Sequence, residues 1–588
     1  MSLEEKLQDL ANSLTEGIGR LLIRALLFMS LVLAIFGLYA FCRFRGLTEP
    51  AAMDNAQLAR NLAAGRGFVT HCVRPSDLAC LARVAGANLP ALPCPDVRHA
   101  PLFPALLAAG FKVLRPPAAI PPYPGLFPPE ARVIVPLGVL LAIGTGGLIF
   151  LTGRRLFDAK TGCLAMIIYF VSDAVLADAI SGTPLPLMAF LATAATYAAV
   201  VGVLRKAEER PWLAWLAPFL LSAVLSGLAF LAGYAMVALA AALAGLAVVG
   251  CERWRWTGAL VFLALFAAVA SPWLLRNKRV SGAWLGAAPQ AAVRQSWLYP
   301  DDALDRTLRP NLSASRVMPA ARAKLRSNLL RLSDENLRPL GGGLMLCFFL
   351  ASLFARFERD EANRIRWPLL LGLALLFGLA ALAGGDAAGL PRAFLPFVVL
   401  YGTAFLFVVM EKTCFLEAAA PAVLPWIAAA LCALPAAIKV AAAPATPPYP
   451  PYFPPFIAYA GRLMAPDEVM CTDIPWATAW YGNRAALLLP QTRGEFLEIS
   501  ARLPRLNALY LTQRTANRPY VGALVSGADR SWLPLLDRRL PPDFPLTQGI
   551  DFPPGTRDQI LLFDRVRWQE APPAGLAEDS GLELRPAQ

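Results

Sequence analysis

The stretch Arg43-Phe-Arg-Gly-Leu-Thr-Glu-Pro-Ala-Ala-Met-Asp-Asn-Ala-Gln-Leu-Ala-Arg-Asn-Leu-Ala-Ala-Gly-Arg-Gly-Phe68 follows the first long apolar run of the chain. Ala52 to Ala64 has helical periodicity, with Met53, Leu58, Ala59, Leu62 and Ala63 on an apolar side and Asp54, Asn55, Arg60 and Asn61 elsewhere. Asp54 then falls in the first turn of an amphipathic helix, where the N-terminus favours an ionised carboxylate. The plain reading is a cap on a surface helix. The sharper one is a catalytic acid or base at a membrane face, and the surrounding chain bears on the choice.

Of 588 residues, 57% are hydrophobic and 16% charged, against about a quarter charged in an ordinary soluble chain. Eleven apolar runs of near-spanning length follow one another, near 21–42, 132–152, 162–180, 184–204, 212–231, 234–250, 257–275, 340–356, 367–384, 393–410 and 418–440. Met1 to Gly19 mixes acids with leucines at helical spacing, which predicts a cytoplasmic amphipathic helix over residues 1–20 rather than a cleaved signal. Short loops carry Arg154, Arg155 and Lys160; Arg205, Lys206 and Arg210; Arg253 and Arg255; and Arg356, Arg359, Arg364 and Arg366, all on one side. The positive-inside rule makes that side cytoplasmic. The expected architecture is an all-α polytopic domain over 21–440 with external loops 43–131 and 276–338, then a small external α/β domain over 441–588.

Polar residues near the external ends of the spans are the candidates for chemistry. Leu102 to Leu114 is too short to span and reads as an interfacial helix, which sets His99 at the water boundary as a solvated side chain or an anion or proton binder. Asp173 and Asp178 approach the external end of one span; Asp178 is the better second acidic site, and Asp173 bonds neighbouring helices. Arg276 and Arg392 stand where lipid head groups lie, as helix anchors or as cations facing one phosphate-binding cavity. The loop after Arg276 is strongly basic. Cys72, Cys80 and Cys94 share the first external loop, room for one disulfide with one thiol left over. Neither His71 nor His99 has zinc-ligand spacing with them. Past the proline-rich 444–455, apolar stretches at Glu468–Asp473, Ala485–Pro490, Asn507–Thr512 and Gln559–Asp564 read as strands around a helical Ala477–Tyr481, with no phosphate-binding glycine loop and no triad signature.

Four segments in order carry a resemblance: Met53-Asp-Asn-Ala-Gln-Leu-Ala-Arg-Asn-Leu-Ala, His99-Ala-Pro-Leu-Phe-Pro, Pro272-Trp-Leu-Leu-Arg-Asn and Arg392-Ala-Phe-Leu-Pro. Together they resemble the GT-C superfamily of membrane glycosyltransferases, in the branch of protein O-mannosyltransferases and aminoarabinose transferase, over about residues 20–410. One departure is Asn55, where that branch commonly has glutamate. The resemblance implies transfer of a sugar from a polyprenyl-phosphate donor to a glycolipid, polysaccharide or protein acceptor at the external face of a bacterial-type inner membrane, with inversion.

In this scheme Asp54 is the base, with Asp178 its rival. Arg276, Arg392 and His99 bind the donor phosphate, and Asn55, Arg60 and Asn277 line the acceptor side. A phosphate leaves as an anion without protonation, so a cationic clamp serves better than a general acid. No metal or other cofactor is required, though related enzymes can use one. Membrane lipids are the remaining partners, and nucleic acid is not one. Two alternatives stay open: a transporter or flippase of a lipid-linked or anionic solute, and a catalytically inactive scaffold with the same fold. A transporter favours internal repeats and broken helices with midplane binding groups, whereas the polar residues here gather at one face.

Overall fold

The computed structural model describes residues 18–85, 92–118, 120, 127–250, 255–335, 343–412, 420–442, 453–503, 505–516, 527–552 and 559–568. The helix expected before Ile18 and most of the proline-rich linker lie outside them. Among the described residues eight helices are long and apolar enough to cross a membrane: Leu22–Arg43, Glu130–Leu156, Leu185–Ala207, Trp212–Ala232, Trp256–Ser281, Asp360–Ala383, Ala387–Lys412 and Val423–Ala441. This is a multi-pass membrane protein.

The other three apolar runs are helical but are not simple spans. Ala159–Val171 and Asp173–Ser181 meet at a 58° bend, where Ser172 takes an extended backbone (ψ 125°). Tyr234–Val248 is shorter, and Leu344–Ser352 has only nine residues. At about 1.5 Å per residue those nine cover about half of a bilayer core. Eleven separate spans were expected because apolar content alone does not register a backbone break.

The C-terminal strands form a six-stranded sheet in the order β2-β5-β4-β6-β8-β7. Its members are β2 (Cys72–Val73), β4 (Val469–Thr472), β5 (Ala485–Leu488), β6 (Leu506–Leu511), β7 (Gln548–Phe552) and β8 (Gln559–Phe563). Strands β4, β5 and β6 run parallel, and β8 and β7 close that edge antiparallel. Strands β4 and β5 are buried throughout, as their uninterrupted apolar sequences require. Two strands were not anticipated. One is β7; the other is β2, which comes from the first long loop and pairs parallel with β5, Cys72 opposite Ala486. The same loop pairs β1 (Val69–Thr70) with β3 (Cys94–Pro95).

This arrangement buries helix Pro50–Ala63 between helices Leu102–Leu114 and Pro475–Tyr481. Its polar Asp54, Asn55, Gln57 and Asn61 are as buried as its apolar residues, so the expected amphipathic surface helix is an internal one. Gly182 brings the bent pair against its start: at φ 74° it turns the chain where a Cβ would stand 2.6 Å from Leu47. The expected disulfide is not formed. Cys72, Cys80 and Cys94 are free and buried, Cys72 in a different core cluster from the other two, and the Cys80 sulfur accepts a hydrogen bond from Gln290 Nε2 at 3.0 Å.

Candidate active site

Glu49 is the N-cap of the site helix and Pro50 occupies its first turn, where proline's missing N–H costs nothing. Asp54 therefore lies one turn further in than expected. Its charge is met by a side chain instead of the helix terminus: Arg74, just after β2, donates to Asp54 Oδ2 at 2.5 Å. His99 Nε2 is 3.7 Å from the same oxygen. Asp54 Oδ1 is buried and accepts no hydrogen bond among the described residues. The Cys72 thiol nearby is held well above its ordinary pKa, first by burial and then by Asp54.

His99 is fixed from behind. Its Nδ1 is 3.0 Å from Asp96 Oδ2, and Asp96 Oδ1 accepts from the backbone N–H groups of Arg98 and His99 at 3.0 and 2.8 Å. Burial alone would raise the Asp96 pKa, but the His99 charge and these hydrogen bonds outweigh it and hold the carboxyl well below its usual range. The converse holds for His99. Burial would lower it, and Asp96, with a smaller contribution from Asp54, raises it above 6.5.

Arg276 reaches the same cluster from the external end of its span. Its guanidinium donates to the carbonyl of Asp96, to Phe68 O at 3.3 Å and to Asn277 Oδ1 at 3.1 Å, and lies 4.7 Å from the Trp273 ring centre. No carboxylate pairs with it among the described residues, so carbonyls and aromatic faces carry its charge. The Tyr234 hydroxyl ties the cluster together, donating to His99 O at 3.2 Å and accepting from Trp273 Nε1 and Asn277 Nδ2 at 2.9 and 3.2 Å.

The structure thus gathers Asp54, His99, Arg276 and Asn277. Arg392 stands apart from them, 3.0 Å from Asp178, so the two arginines expected to share one cavity belong to different networks. The reason is local: Asp178 already compensates Arg392. Asp173 bonds Tyr39 at 3.0 Å and Lys439 at 2.6 Å, tying the first and last apolar helices to the bent pair. Asn55 donates to Ala51 O at 2.7 Å. A glutamate there would turn an acceptor toward that carbonyl, so the Asp-Asn pair suits this helix. Arg60 stacks 4.0 Å over Trp480 and donates to Trp480 O at 2.9 Å.

Sequence reading missed Arg74, Asp96 and Tyr234. Asp96 had a signal in its Asp-x-x-His spacing to His99; Arg74 had none, since only strand pairing brings it to Asp54. Among the described residues no three His, Cys, Asp or Glu side chains are grouped to hold a metal ion.

No protein-family model matches the chain, and no curated protein sequence does. Solved structures match. The archaeal oligosaccharyltransferase AglB from Archaeoglobus fulgidus, solved with an inhibitory peptide and a dolichol-phosphate, is similar at a TM-score of 0.53 and 12% identity, over 92% of this chain and 74% of that one. ArnT from Cupriavidus metallidurans, solved with undecaprenyl phosphate, has a TM-score of 0.53 and 12% identity, over 92% of this chain and 98% of that one. Identities this low establish the fold alone. The chain has the GT-C fold, the helical membrane architecture of these glycosyltransferases.

Proposed function

We propose that the protein transfers a sugar from a polyprenyl-phosphate carrier to a hydroxyl acceptor at the external face of the membrane. The observation that carries this is Asp54: a buried carboxylate with one oxygen anchored by Arg74 and the other without a hydrogen-bond donor, within a GT-C fold. The anchored oxygen fixes its orientation, and the other, buried and without a donor among the described residues, is the one left to take the acceptor proton as the hydroxyl attacks the anomeric carbon. The carrier phosphate then leaves as an anion. Arg276, which forms no ion pair with a carboxylate among the described residues, and His99, whose pKa Asp96 raises against the effect of burial, are the groups placed to stabilise it. Arg392 would have to leave Asp178 to join them, so Asp178 and Arg392 serve as a second acid–cation pair. The solved neighbours that hold dolichol-phosphate and undecaprenyl phosphate support a lipid-phosphate donor.

The reading routes no step through a metal. Arg74, which occupies one Asp54 oxygen, offers no lone pair to a divalent ion, and burial raises the pKa of the nearby Cys72 thiol. The test is release of free carrier from a defined polyprenyl-phosphate sugar by purified protein. Asp54→Asn should lower release about 10²- to 10⁴-fold per folded molecule, the usual loss for a general base, with donor binding unchanged. Near-normal turnover in that variant would remove Asp54 from the chemistry.

A further inference from the structure

A groove of about 490 Å³ opens between the loop after Arg294, helix Ala314–Glu335 and the end of helix Asp360–Ala383, with Gln295, Ser296, Asp301, Asn328, Arg331 and Gly385 among its lining. That size falls within the roughly 300–1,000 Å³ of small-ligand sites. Its wall holds four residues with left-handed backbone: Gln295 (φ 54°), Asp301 (50°), Gly384 (68°) and Gly385 (49°). Positive φ is uncommon for a residue such as glutamine, and such strain persists only where surroundings impose it, often at binding sites. The glycines make room for amides: a Cβ on Gly385 would stand 2.7 Å from Gln295 Oε1, and one on Gly384 3.1 Å from Asn328 Nδ2.

Beside these glycines, the buried Lys324 ammonium donates to the carbonyls of Ala291 at 2.8 Å, Ala383 at 2.6 Å and Arg294. All three of its protons are used, so it pins the loop to the helix end and offers nothing to a ligand. The side chains of Gln295, Asp301 and Arg331, by contrast, make no hydrogen bond or ion pair among the described residues. Ser296 Oγ is spent on Val293 O and Leu298 N, and Asn328 Nδ2 on Ala381 O, so the wall presents the free amide of Gln295 and one charge of each sign. A neutral polyhydroxyl group, donor and acceptor at every oxygen, satisfies that mixture, whereas a phosphate would meet the carboxylate of Asp301.

The groove is also connected to the site. Arg294, beside Gln295, lies 3.1 Å from Asp305, Asp305 accepts from Arg98 at 3.1 Å, and the next residue, His99, stands 3.7 Å from Asp54. We infer that the groove holds a neutral sugar unit, either of the acceptor glycan or of the donor, an assignment resting on the transferase reading above.

The test uses full-length protein in a sugar-free detergent with N,N′-diacetylchitobiose as probe, read by saturation-transfer NMR. The variant combines Gln295→Gly, Asp301→Gly and Arg331→Ala; all three side chains are exposed, glycine keeps the left-handed backbone, and alanine suits the helix. Disaccharide binding should fall about tenfold or more, the usual effect of a lost charge-assisted contact. A second arm compares polyprenyl phosphate with and without its sugar. If the groove holds the donor sugar, the sugar-bearing lipid loses its advantage in the variant; if it holds the acceptor, both lipids bind as before. A disaccharide signal absent from the wild type, kept by the variant or displaced by inorganic phosphate overturns the assignment. Failure of the transferase reading looks different: no carrier release from the wild type, with disaccharide binding intact.

Discussion

Arg276 and Arg392 show how far single residues can be read from sequence. Both were recognisable as cations at helix ends, since an arginine beside an apolar run has few places to go. What separates them is the company each keeps, and that company comes from distant segments. The Asp178 carboxylate lies 3.0 Å from Arg392, while Arg276 donates to carbonyl and amide oxygens, lies against aromatic rings and forms no ion pair among the described residues. Arg276→Ala should therefore weaken binding of polyprenyl phosphate ten- to a hundredfold, about 1.5–3 kcal/mol for a charge-assisted contact, with little change in melting temperature. Arg392→Ala should instead leave Asp178 uncompensated and lower the melting temperature, and adding Asp178→Asn should restore much of it. The two measurements, lipid affinity and thermal unfolding in detergent, would show the opposite pattern if Arg392 were the phosphate ligand and Arg276 the anchor.

At the scale of elements, helix periodicity was legible and its consequence was not. The helix carrying Asp54 follows from its sequence to within two residues at its start, and Leu102–Leu114 and the C-terminal strands β4, β5, β6 and β8 also match their apolar patterns. The burial of helix Pro50–Ala63 on all sides depends on partners that no local window contains. One of them, helix Pro475–Tyr481, holds it through Arg60 on Trp480, while the Trp480 indole N–H and the Tyr481 hydroxyl donate to Glu130 at 2.9 and 2.8 Å. This small helix thus joins the site helix to the start of a span. Trp480→Phe keeps a ring under Arg60 and removes the indole N–H, leaving a buried carboxylate short of one donor, a loss of about 1–3 kcal/mol. Hydrogen exchange over residues 50–63 should accelerate in that variant, and transfer should slow with it. Unchanged exchange there would mean that the two helices are adjacent without being coupled.

For the molecule as a whole, three segments that the charge pattern puts outside the membrane are joined physically. The first loop supplies β2 to the C-terminal sheet, and Arg98 of that loop bonds Asp305 of the basic loop. Arg306 of the basic loop donates to Leu489 O and Pro490 O, just past β5, at 2.8 and 3.1 Å. Segments so interlocked lie on one side of a bilayer. A membrane-impermeant thiol reagent applied to intact cells should reach cysteines introduced at exposed positions in both the basic loop and the C-terminal sheet domain; protection of either would reverse the assigned orientation. The interlock also bears on how the protein is made. Arg60 and Trp480 are 420 residues apart, a gap that a ribosome adding 5–20 residues per second crosses in roughly 20–80 s. Throughout that interval the nascent site helix lacks its Pro475–Tyr481 cover and β2 lacks its β5 neighbour, an unpaired strand edge waiting beside a membrane. A chain stopped before Val469 is therefore not a smaller version of this protein but an unfinished one, open at the surface where the chemistry belongs and exposed to the proteases that clear such intermediates.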